Sequence, residues 1–221
     1  MQGLMMDVPL LISSLITHAD RHHGDTEIVS RLVEGGIHRY NYREAHRRAR
    51  KLANALGAIG VKQGDRVGTL AWNGFRHLEA FYGISGMGAV MHTINPRLFP
   101  EQIVYIVNHA EDSYLLFDLT FAPLIEKLAP MCKSVKGWVA MTDRAHMPQA
   151  AIPNLLCYED LVSAQPDDYE WPARESAHQP SFALQRTRAR RRRRTAVFCR
   201  VKLLESGQIE QYGGSSRCKA S

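Results

Sequence analysis

The most conspicuous chemical feature of the sequence is a run of arginines near its end. Seven arginines lie between Arg186 and Arg194, and five of them are consecutive. Guanidinium groups at this density can bind nucleic-acid phosphates through salt-dependent contacts that do not distinguish base sequence. Aromatic side chains are not interleaved with the run, and no nucleic-acid-binding motif surrounds it. We therefore expect no specific nucleic-acid partner, and at most non-specific polyanion binding by residues 186–194.

The basic charge of the protein is concentrated in the same region. Residues 181–221 contain 9 Arg and 2 Lys against Glu205 and Glu210, a net charge of +9 in a chain whose total is +6. The preceding 180 residues hold 17 basic and 20 acidic side chains and are mildly acidic. Such asymmetry indicates two segments of different character. We predict a folded domain in residues 1–173 and an irregular basic tail, disordered or translated out of frame, in residues 174–221.

Four histidines could ligate a metal or transfer a proton. His18 and His22 are four residues apart, as metal ligands on a helix can be, but no known motif fixes a carboxylate or thiolate beside them. We interpret them as a solvated helix end. His92 and His109 lie in or beside predicted core elements, and we interpret them as satisfied structural histidines.

The cysteines indicate neither a zinc site nor a disulfide framework, because C-x-x-C spacing is absent. Cys132 and Cys157 follow apolar residues in helical patterns and are expected to be inert core residues. The apolar stretch at Leu10–Ile16 is too short to span a bilayer and is predicted to be an amphipathic helix packed on the body. We expect a cytoplasmic protein.

Two further segments could face a ligand. Gly83–Gly88 superficially resembles a nucleotide loop, but its spacing is not G-x-G-x-x-G after a strand. Close packing and helix termination explain these glycines better. Trp72, Asn73 and Gly74 follow a predicted strand, at the position where ligands of parallel sheets lie, although a structural role is favoured.

The elements that would position these residues alternate between strand and helix patterns. Residues 26–42 predict two strands around Gly35-Gly36, and Asn41 with Glu44 has the spacing of a helix cap. A helix follows and ends near Gly60. Its predicted buried face consists of Ala45, Ala49, Leu52, Ala53, Leu56 and Ile59, with the arginines largely on the other face.

Strand and helix patterns then alternate to about residue 164. Strands are predicted at 66–71, 89–95, 113–118 and 135–141, and helices at 74–88, 100–111 and 121–132. The helix at 74–88 is expected to pack through Leu78, Phe81 and Tyr82. Residues 155–164 are predicted to form a last helix. Units of this length favour an α/β fold with a largely parallel, doubly wound sheet.

Five segments, in order, resemble one family. They are "YNYREAHRRARKLANAL", "GVKQGDRVGTLAWN", "GAVMHTINPRL", "EQIVYIVNHAED" and "VKGWVAMTDRAHMP". The chain resembles the N-terminal region of the adenylate-forming acyl-CoA synthetases, in the medium- and long-chain fatty-acid–CoA ligase branch. The resemblance extends from about Leu10 to Pro172. It implies one partial, doubly wound lobe of the large N-terminal domain of such an enzyme.

The resemblance also implies a chemistry for the parent enzyme. ATP and Mg²⁺ would convert a fatty acid to an acyl-adenylate with loss of pyrophosphate, and the acyl group would pass to the thiol of coenzyme A. Positive charge and backbone N–H groups would stabilise the transferring phosphoryl group. ATP, Mg²⁺ and CoA are therefore the cofactors and partners expected of the parent, and none is expected to bind productively to this chain.

The family's functional motifs are missing from the sequence. A Ser/Thr/Gly-rich phosphate loop ending in Pro-Lys-Gly should follow "DDYEWP", and "ARESAHQPSFALQRTRARRRRR" stands there instead. Because the later adenine, ribose, hinge and lysine elements are also absent, no catalytic, cofactor-binding or metal-binding residue is predicted. We expect the 221-residue chain to be inactive. An arginine run is what a shifted frame of GC-rich coding DNA often produces, so a frameshift near residue 174 is our hypothesis for the tail.

Two alternatives remain open. The first is a non-catalytic binding protein that reuses the synthetase lobe and carries a basic arm for nucleic acid or acidic membranes. The second is a dinucleotide-dependent oxidoreductase on a doubly wound sheet, which ranks last because the glycine fingerprint is absent.

Overall fold

A computed structural model describes residues 11–172 of the chain. The helices are α1 (Ile12–His23), α2 (Tyr42–Ala58), α3 (Phe75–Gly86), α4 (Pro100–Ala110), α5 (Ala122–Leu128) and α6 (Tyr158–Ser163). The strands are β1 (Glu27–Arg31), β2 (Ile37–Asn41), β3 (Arg66–Leu70), β4 (Val90–Thr93), β5 (Tyr114–Phe117), β6 (Gly137–Ala140) and β7 (Leu155–Cys157). Short 3₁₀ turns lie at Leu119–Phe121, Ala129–Met131 and Arg144–His146.

The central feature is a five-stranded parallel sheet in the order β4-β3-β5-β6-β7. β3 pairs with both β4 and β5, so the chain runs outward from β3 in two directions. Tyr114 of β5 lies between Val67 of β3 and Gly137 of β6 in register. The predicted doubly wound parallel sheet is confirmed.

The last strand corrects one prediction. Residues 155–164 were expected to form a single helix, but Leu155–Cys157 pairs in parallel with β6 and only Tyr158–Ser163 is helical. Trp138 lies opposite Leu155 in this pairing. The apolar run Leu-Leu-Cys is too short for periodicity to distinguish a strand from a helix.

Helices cover both faces of the sheet and create two cores. Because side chains alternate along a strand, Leu115 and Leu116 point into different cores. One core is formed with α2, α3 and α6 and contains Leu52, Ile84 and Tyr158. The other is formed with α4 and α5. Its helical members include Ile103, Val107, Ile125 and Leu128.

Helix α2 forms where the capping signal predicts it. The Asn41 side chain accepts a hydrogen bond of 2.9 Å from the backbone N–H of Glu44, which satisfies one of the free donors of the first turn. The predicted face is buried except at Ile59, which is partly buried. Arg48 departs from the expected polar face, because its side chain lies largely inside the protein.

Helix α3 packs only in part through the residues expected. Phe81 is partly buried and packs against the core that contains Leu52, and Leu78 and Tyr82 are also only partly buried. Ala80 and Ile84 are fully buried instead. Helix α2 approaches closely here: a Cβ at Gly83 would lie 3.0 Å from the carbonyl oxygen of Ala49 and 3.1 Å from Leu52. Small residues therefore face α2.

The N-terminal elements attach to this lobe. Helix α1, predicted as an amphipathic helix packed on the body, buries Ile16 and Ser13 and contacts α2 and α3. The predicted hairpin is also confirmed, with β1 and β2 antiparallel and Glu27 opposite Asn41. Among residues 11–172, no helix combines the length and apolar character that crossing a bilayer requires.

The α2–α3 contact gives a stability prediction. The change Gly83→Ala should lower the free energy of unfolding by about 1–3 kcal/mol, because the added methyl group overpacks the contact with Ala49 and Leu52. Gly57→Ala is the matched control: Gly57 is also helical, and a Cβ there meets no atom within 4 Å. The control should gain up to about 1 kcal/mol. Urea unfolding monitored by circular dichroism measures both, and equal changes would contradict the packing argument.

Candidate functional site

The carboxyl ends of the parallel strands are the natural place for a ligand in this fold. Trp72, Asn73 and Gly74 follow β3 at this edge, and Asp118 follows β5. Together with residues of the β1–β2 loop they line a small cleft of about 50 Å³, which we call the carboxyl-edge cleft. Its lining is Arg31, Leu32, Val33, Trp72, Asn73, Gly74, Phe75, Arg76, His77 and Asp118.

Asp118 is the buried carboxyl group of the cleft. Its Oδ2 accepts a hydrogen bond of 2.6 Å from the backbone N–H of Trp72, which ties the end of β5 to the end of β3. Burial raises the pKa of Asp118 to about 6, and the Trp72 amide and the charge of Arg76 offset this only in part. The indole of Trp72 is 47% exposed and packs against Phe121.

Arg76 in the first turn of α3 connects three elements at this edge. Its Nη1 donates to Glu34 Oε1 at 2.8 Å and to the carbonyl oxygen of Met141 at 3.0 Å. The same Glu34 oxygen accepts from the Thr142 hydroxyl at 2.7 Å. Burial opposes ionisation of Glu34, but the Thr142 hydrogen bond and Arg76 more than compensate and lower its pKa. The hairpin loop is thus held to the end of β6.

A second arginine extends the connection into the core. Glu159 at the start of α6 accepts from Arg76 Nε at 2.8 Å and from Arg48 Nη2 at 2.9 Å. Arg48 Nε also donates to Glu79 at 2.7 Å, and the hydroxyl of Tyr158 donates to the other Glu79 oxygen at 2.8 Å. We call Glu34, Arg76, Glu159, Arg48 and Glu79 the ion network.

Glu79 is the most deeply buried acid of the ion network. Its side chain is fully buried, and burial raises the pKa of Glu79 to about 7 against the opposing effects of Arg48 and Tyr158. Arg48 keeps its charge, because Glu79 and Glu159 raise its pKa in spite of burial. Ion pairs join these five side chains, and Glu34 Oε2 alone among the carboxylate oxygens of the ion network is buried without a hydrogen-bond partner. The ion network therefore holds α2, α3, α6 and the hairpin loop together.

Aromatic packing completes the attachment of the hairpin. The ring of His38 on β2 stacks on Phe75 at 3.9 Å between centroids, and Tyr40 meets both rings edge-on. The guanidinium carbon of Arg76 lies 4.7 Å from the centroid of the Phe75 ring. Phe75 therefore lies between the hairpin and the ion network, a cation–π arrangement that stabilises the first turn of α3.

Two concave regions lie among the described residues. The carboxyl-edge cleft of about 50 Å³ is much smaller than ligand pockets of roughly 300–1,000 Å³. A surface depression of about 400 Å³ lies beside the hairpin, lined by Val29, Arg31, Gly36 and Ile37, and carries one charged side chain. Within residues 11–172, no cluster of three His, Cys, Asp or Glu side chains could hold a metal ion.

The histidines considered from sequence occupy different settings. His18 and His22 are exposed on α1 with ring centroids 4.5 Å apart. His92 on β4 pairs through Nδ1 with the buried Asp112 at 2.8 Å, as expected of a satisfied structural histidine. His109 is instead exposed at the end of α4 and stacks on Tyr105. The structure does not bring these histidines together.

The remaining candidates are structural. Cys132 and Cys157 are free and buried, and burial raises the pKa of both thiols, that of Cys132 to about 11. Of Gly83–Gly88, Gly83 contacts α2 closely, in agreement with the packing interpretation. Cys199, Cys218 and Arg186–Arg194 lie outside the described residues.

Sequence reasoning missed the ion network. Arg48 lies 31 residues from Glu79 and 111 from Glu159, so no local pattern joins them. One signal was available: Glu79 precedes Ala80 within the apolar part of a predicted helix, and a lone acid in that position requires a buried cation.

The fold matches the N-terminal lobes of adenylate-forming ligases. The anthranilate CoA ligase in complex with anthranoyl-AMP superposes with a TM-score of 0.61 and 23% identity, over 75% of this chain and 30% of that chain. A protein of Rhodopseudomonas palustris described as a putative long-chain-fatty-acid CoA ligase superposes with a TM-score of 0.60 and 21% identity, over 75% of this chain and 39% of that chain. At these identities the likeness shows the fold.

The family is shown by sequence. The chain belongs to the AMP-binding enzyme family, whose model matches residues 15–182. It is 51% identical over 172 residues to the 3-methylmercaptopropionyl-CoA ligase of Ruegeria lacuscaerulensis and 48% identical over 172 residues to the medium-chain-fatty-acid–CoA ligase of Ectopseudomonas oleovorans. Each match covers 78% of this chain and 32% of the relative. The long-chain-fatty-acid–CoA ligase of Thermus thermophilus is 45% identical over 77% of this chain and 30% of its own length.

These matches confirm the resemblance stated from sequence. The chain spans about a third of the length of the curated relatives it matches.

Asp118 gives a prediction about pH. Because its pKa in the folded protein, about 6, exceeds the value of 3.8 for a free aspartate, the protonated form favours folding. This contribution is complete below about pH 4 and is lost as the pH rises through 6. Asp118→Asn removes this pH-dependent contribution, because an amide does not titrate in this range. Its oxygen can still accept the hydrogen bond from the Trp72 amide. The unfolding free energy of the variant relative to wild type should therefore rise by about 2 kcal/mol between pH 4 and 7.5.

Urea unfolding at several pH values measures this difference. The control is Asp167→Asn, which alters an exposed aspartate and should change the relative stability little with pH. If the unfolding free energies of Asp118→Asn and wild type differ by a constant amount from pH 4 to 7.5, the raised pKa assigned to Asp118 is wrong.

Proposed function

We propose that the chain is part of an ATP-dependent ligase that joins a fatty acid, or a similar medium-chain carboxylic acid, to coenzyme A. The observation that carries the proposal is identity of 45–51% to three CoA ligases over 170–172 residues. The three relatives are named for different acids, and each name describes a CoA ligase. The acid is therefore proposed only as a class.

The proposed reaction has two steps. The carboxylate attacks the α-phosphorus of ATP, which forms an acyl-adenylate and releases pyrophosphate. The CoA thiol then attacks the acyl carbon, the thioester forms, and AMP leaves. In this proposal ATP, Mg²⁺ and CoA belong to the complete enzyme, and the residues described here supply the scaffold at whose carboxyl edge other segments bind them.

The 221-residue chain by itself is proposed to be inactive. The sequence contains no Thr-Ser-Gly-Thr-Thr-Gly and no Pro-Lys-Gly segment to surround phosphates with backbone N–H groups. The small carboxyl-edge cleft supports the same conclusion, since it is far below the volume of ordinary ligand pockets. No residue of this chain is assigned a catalytic, cofactor-binding or metal-binding role.

This proposal predicts an absence of turnover. Purified 221-residue chain, incubated with ATP, Mg²⁺ and octanoate, should release no pyrophosphate beyond the rate without octanoate. A coupled pyrophosphate assay measures it, with the medium-chain-fatty-acid–CoA ligase of Ectopseudomonas oleovorans as the positive control. Acid-dependent release by the chain that grows with its concentration would contradict the assignment of inactivity.

We retain residues 1–173 as a partial ligase domain and residues 174–221 as a tail read out of frame. The charge of +9 in residues 181–221 and the missing phosphate loop occur together, which supports a frameshift, although the family match extends to residue 182. A cytoplasmic location is part of the proposal, supported by two buried free cysteines, as reducing compartments maintain them.

The frameshift predicts what the coding DNA contains. Resequencing codons 165–221 and translating all three frames should give a second frame that continues past "DDYEWP" into a Ser/Thr/Gly-rich loop with Pro-Lys-Gly. If no frame restores the loop and intact mass confirms this C-terminus in expressed protein, the frameshift is wrong. The basic arm would then be genuine, which favours the alternative of a non-catalytic polyanion-binding protein.

A further inference from the structure

The last described residues, 166–172, lie along α2, and we call them the exit segment. The Asn54 side chain donates to the carbonyl oxygen of Pro166 at 3.0 Å, and Arg50 Nε donates to that of Tyr169 at 2.8 Å. Both donors are on α2. The chain therefore leaves the lobe along a path held by hydrogen bonds to its backbone, without a strand or helix of its own.

A hydrogen-bonded relay fixes the end of this path. The Trp171 indole N–H donates to His46 Nε2 at 2.9 Å, and His46 Nδ1 lies 2.7 Å from Asp20 Oδ2 on α1. Indole nitrogen can only donate, so Nε2 must be the unprotonated acceptor and Nδ1 must carry the proton that Asp20 accepts. The His46 side chain is 10% exposed. The relay thus specifies one tautomer of a neutral histidine at the junction of three elements.

The shape of α3 provides an independent observation about the same side chain. A Cβ at Gly86 would lie 2.5 Å from the ring of Trp171. The indole therefore occupies the space that any other residue at position 86 would fill. Tyr169 packs edge-on against Trp171, with ring centroids 5.3 Å apart. The indole is held by both a directed hydrogen bond and a recess shaped for it.

We propose that Asp20, His46 and Trp171 form a latch that fixes the direction in which the chain leaves the lobe, with Gly86 as its recess. The family match continues past the exit segment to residue 182, and the relatives are about three times as long as the matched region. The latch thus positions the segment through which this scaffold continues into the rest of the enzyme. In that respect the inference rests on the proposed function, and His46 and Trp171 are positioning residues.

Limited proteolysis of the 221-residue chain tests the latch without any activity assay. A glutamate-specific protease cleaves after Glu170, within the exit segment. Cleavage after Glu101, exposed on α4, provides the reference rate, and cleavage after the buried Glu79 reports global unfolding. The measured quantity is the rate at Glu170 divided by the rate at Glu101, by mass spectrometry of the fragments.

Removal of the acceptor should open the latch locally. His46→Leu should raise the ratio about fivefold, the change expected for a hydrogen bond worth roughly 1 kcal/mol. Trp171→Phe, which keeps a ring and loses the donor, should raise it similarly. His46→Gln, whose carbonyl oxygen can accept from the indole, should restore most of the protection. The control Trp72→Phe alters an exposed indole elsewhere and should leave the ratio unchanged.

Three results would overturn the proposal. They are an unchanged ratio in both His46→Leu and Trp171→Phe, a ratio in His46→Gln equal to that of His46→Leu, or cleavage after Glu79 that rises in parallel with cleavage after Glu170. The last result would show that His46 acts on the stability of the whole lobe. Because no result depends on turnover, the latch and the ligase function fail separately.

Discussion

The ion network is the constraint on which the arrangement of this lobe depends. Arg48 and Arg76 are largely buried, and each lies between two glutamates. A buried ion pair contributes little net stability, because desolvation of the charges offsets their attraction. Loss of a single partner is different, since it leaves an uncompensated charge and costs roughly 3–5 kcal/mol. The network therefore acts mainly by excluding arrangements in which the hairpin loop, α2, α3 and α6 are separated.

This constraint explains why the hairpin has a fixed position on the lobe. β1 and β2 form a two-stranded sheet of their own, and an isolated hairpin is at best marginally stable in water. Glu34 in its loop and His38 on β2 supply the attachment, through Arg76 and Phe75 respectively. Exposed apolar groups remain on its outer surface, with Ile37 63% exposed.

The parts of this fold that sequence predicts are those encoded by local patterns. The amphipathic face of α2 and its Asn41 cap follow from spacing within a few residues. The parallel sheet follows from the alternation of strand and helix. The prediction was wrong at β7, because the run Leu-Leu-Cys is too short to show a period. The buried residues of α3 were predicted only in part, because the close approach of α2 at Gly83 requires small residues and is not visible in the sequence of α3 alone.

The candidate site depends on contacts that no local pattern encodes. The partners of the ion network are brought together only when the sheet has formed. Trp171 was likewise passed over, because it lies where hydrophobic periodicity ends. Its partners His46 and Asp20 come from the other end of the chain. Family resemblance supplied the class of enzyme and could not supply these contacts, since the segments that carry the resemblance are mostly scaffold.

The ion network and the latch share one physical logic. Each joins elements distant in sequence through directed contacts between charged or polar side chains that are at least partly buried, so each is specific in geometry. They act at different places: the network fixes the elements around the carboxyl edge, and the latch fixes the path by which the chain leaves. In the ligase proposed above, whose reacting groups are proposed to come from segments beyond this lobe, errors in either would displace those groups. Displacements of about 1 Å are enough to slow catalysis a hundredfold. A lobe that supplied only the scaffold would therefore still be under strict geometric demands.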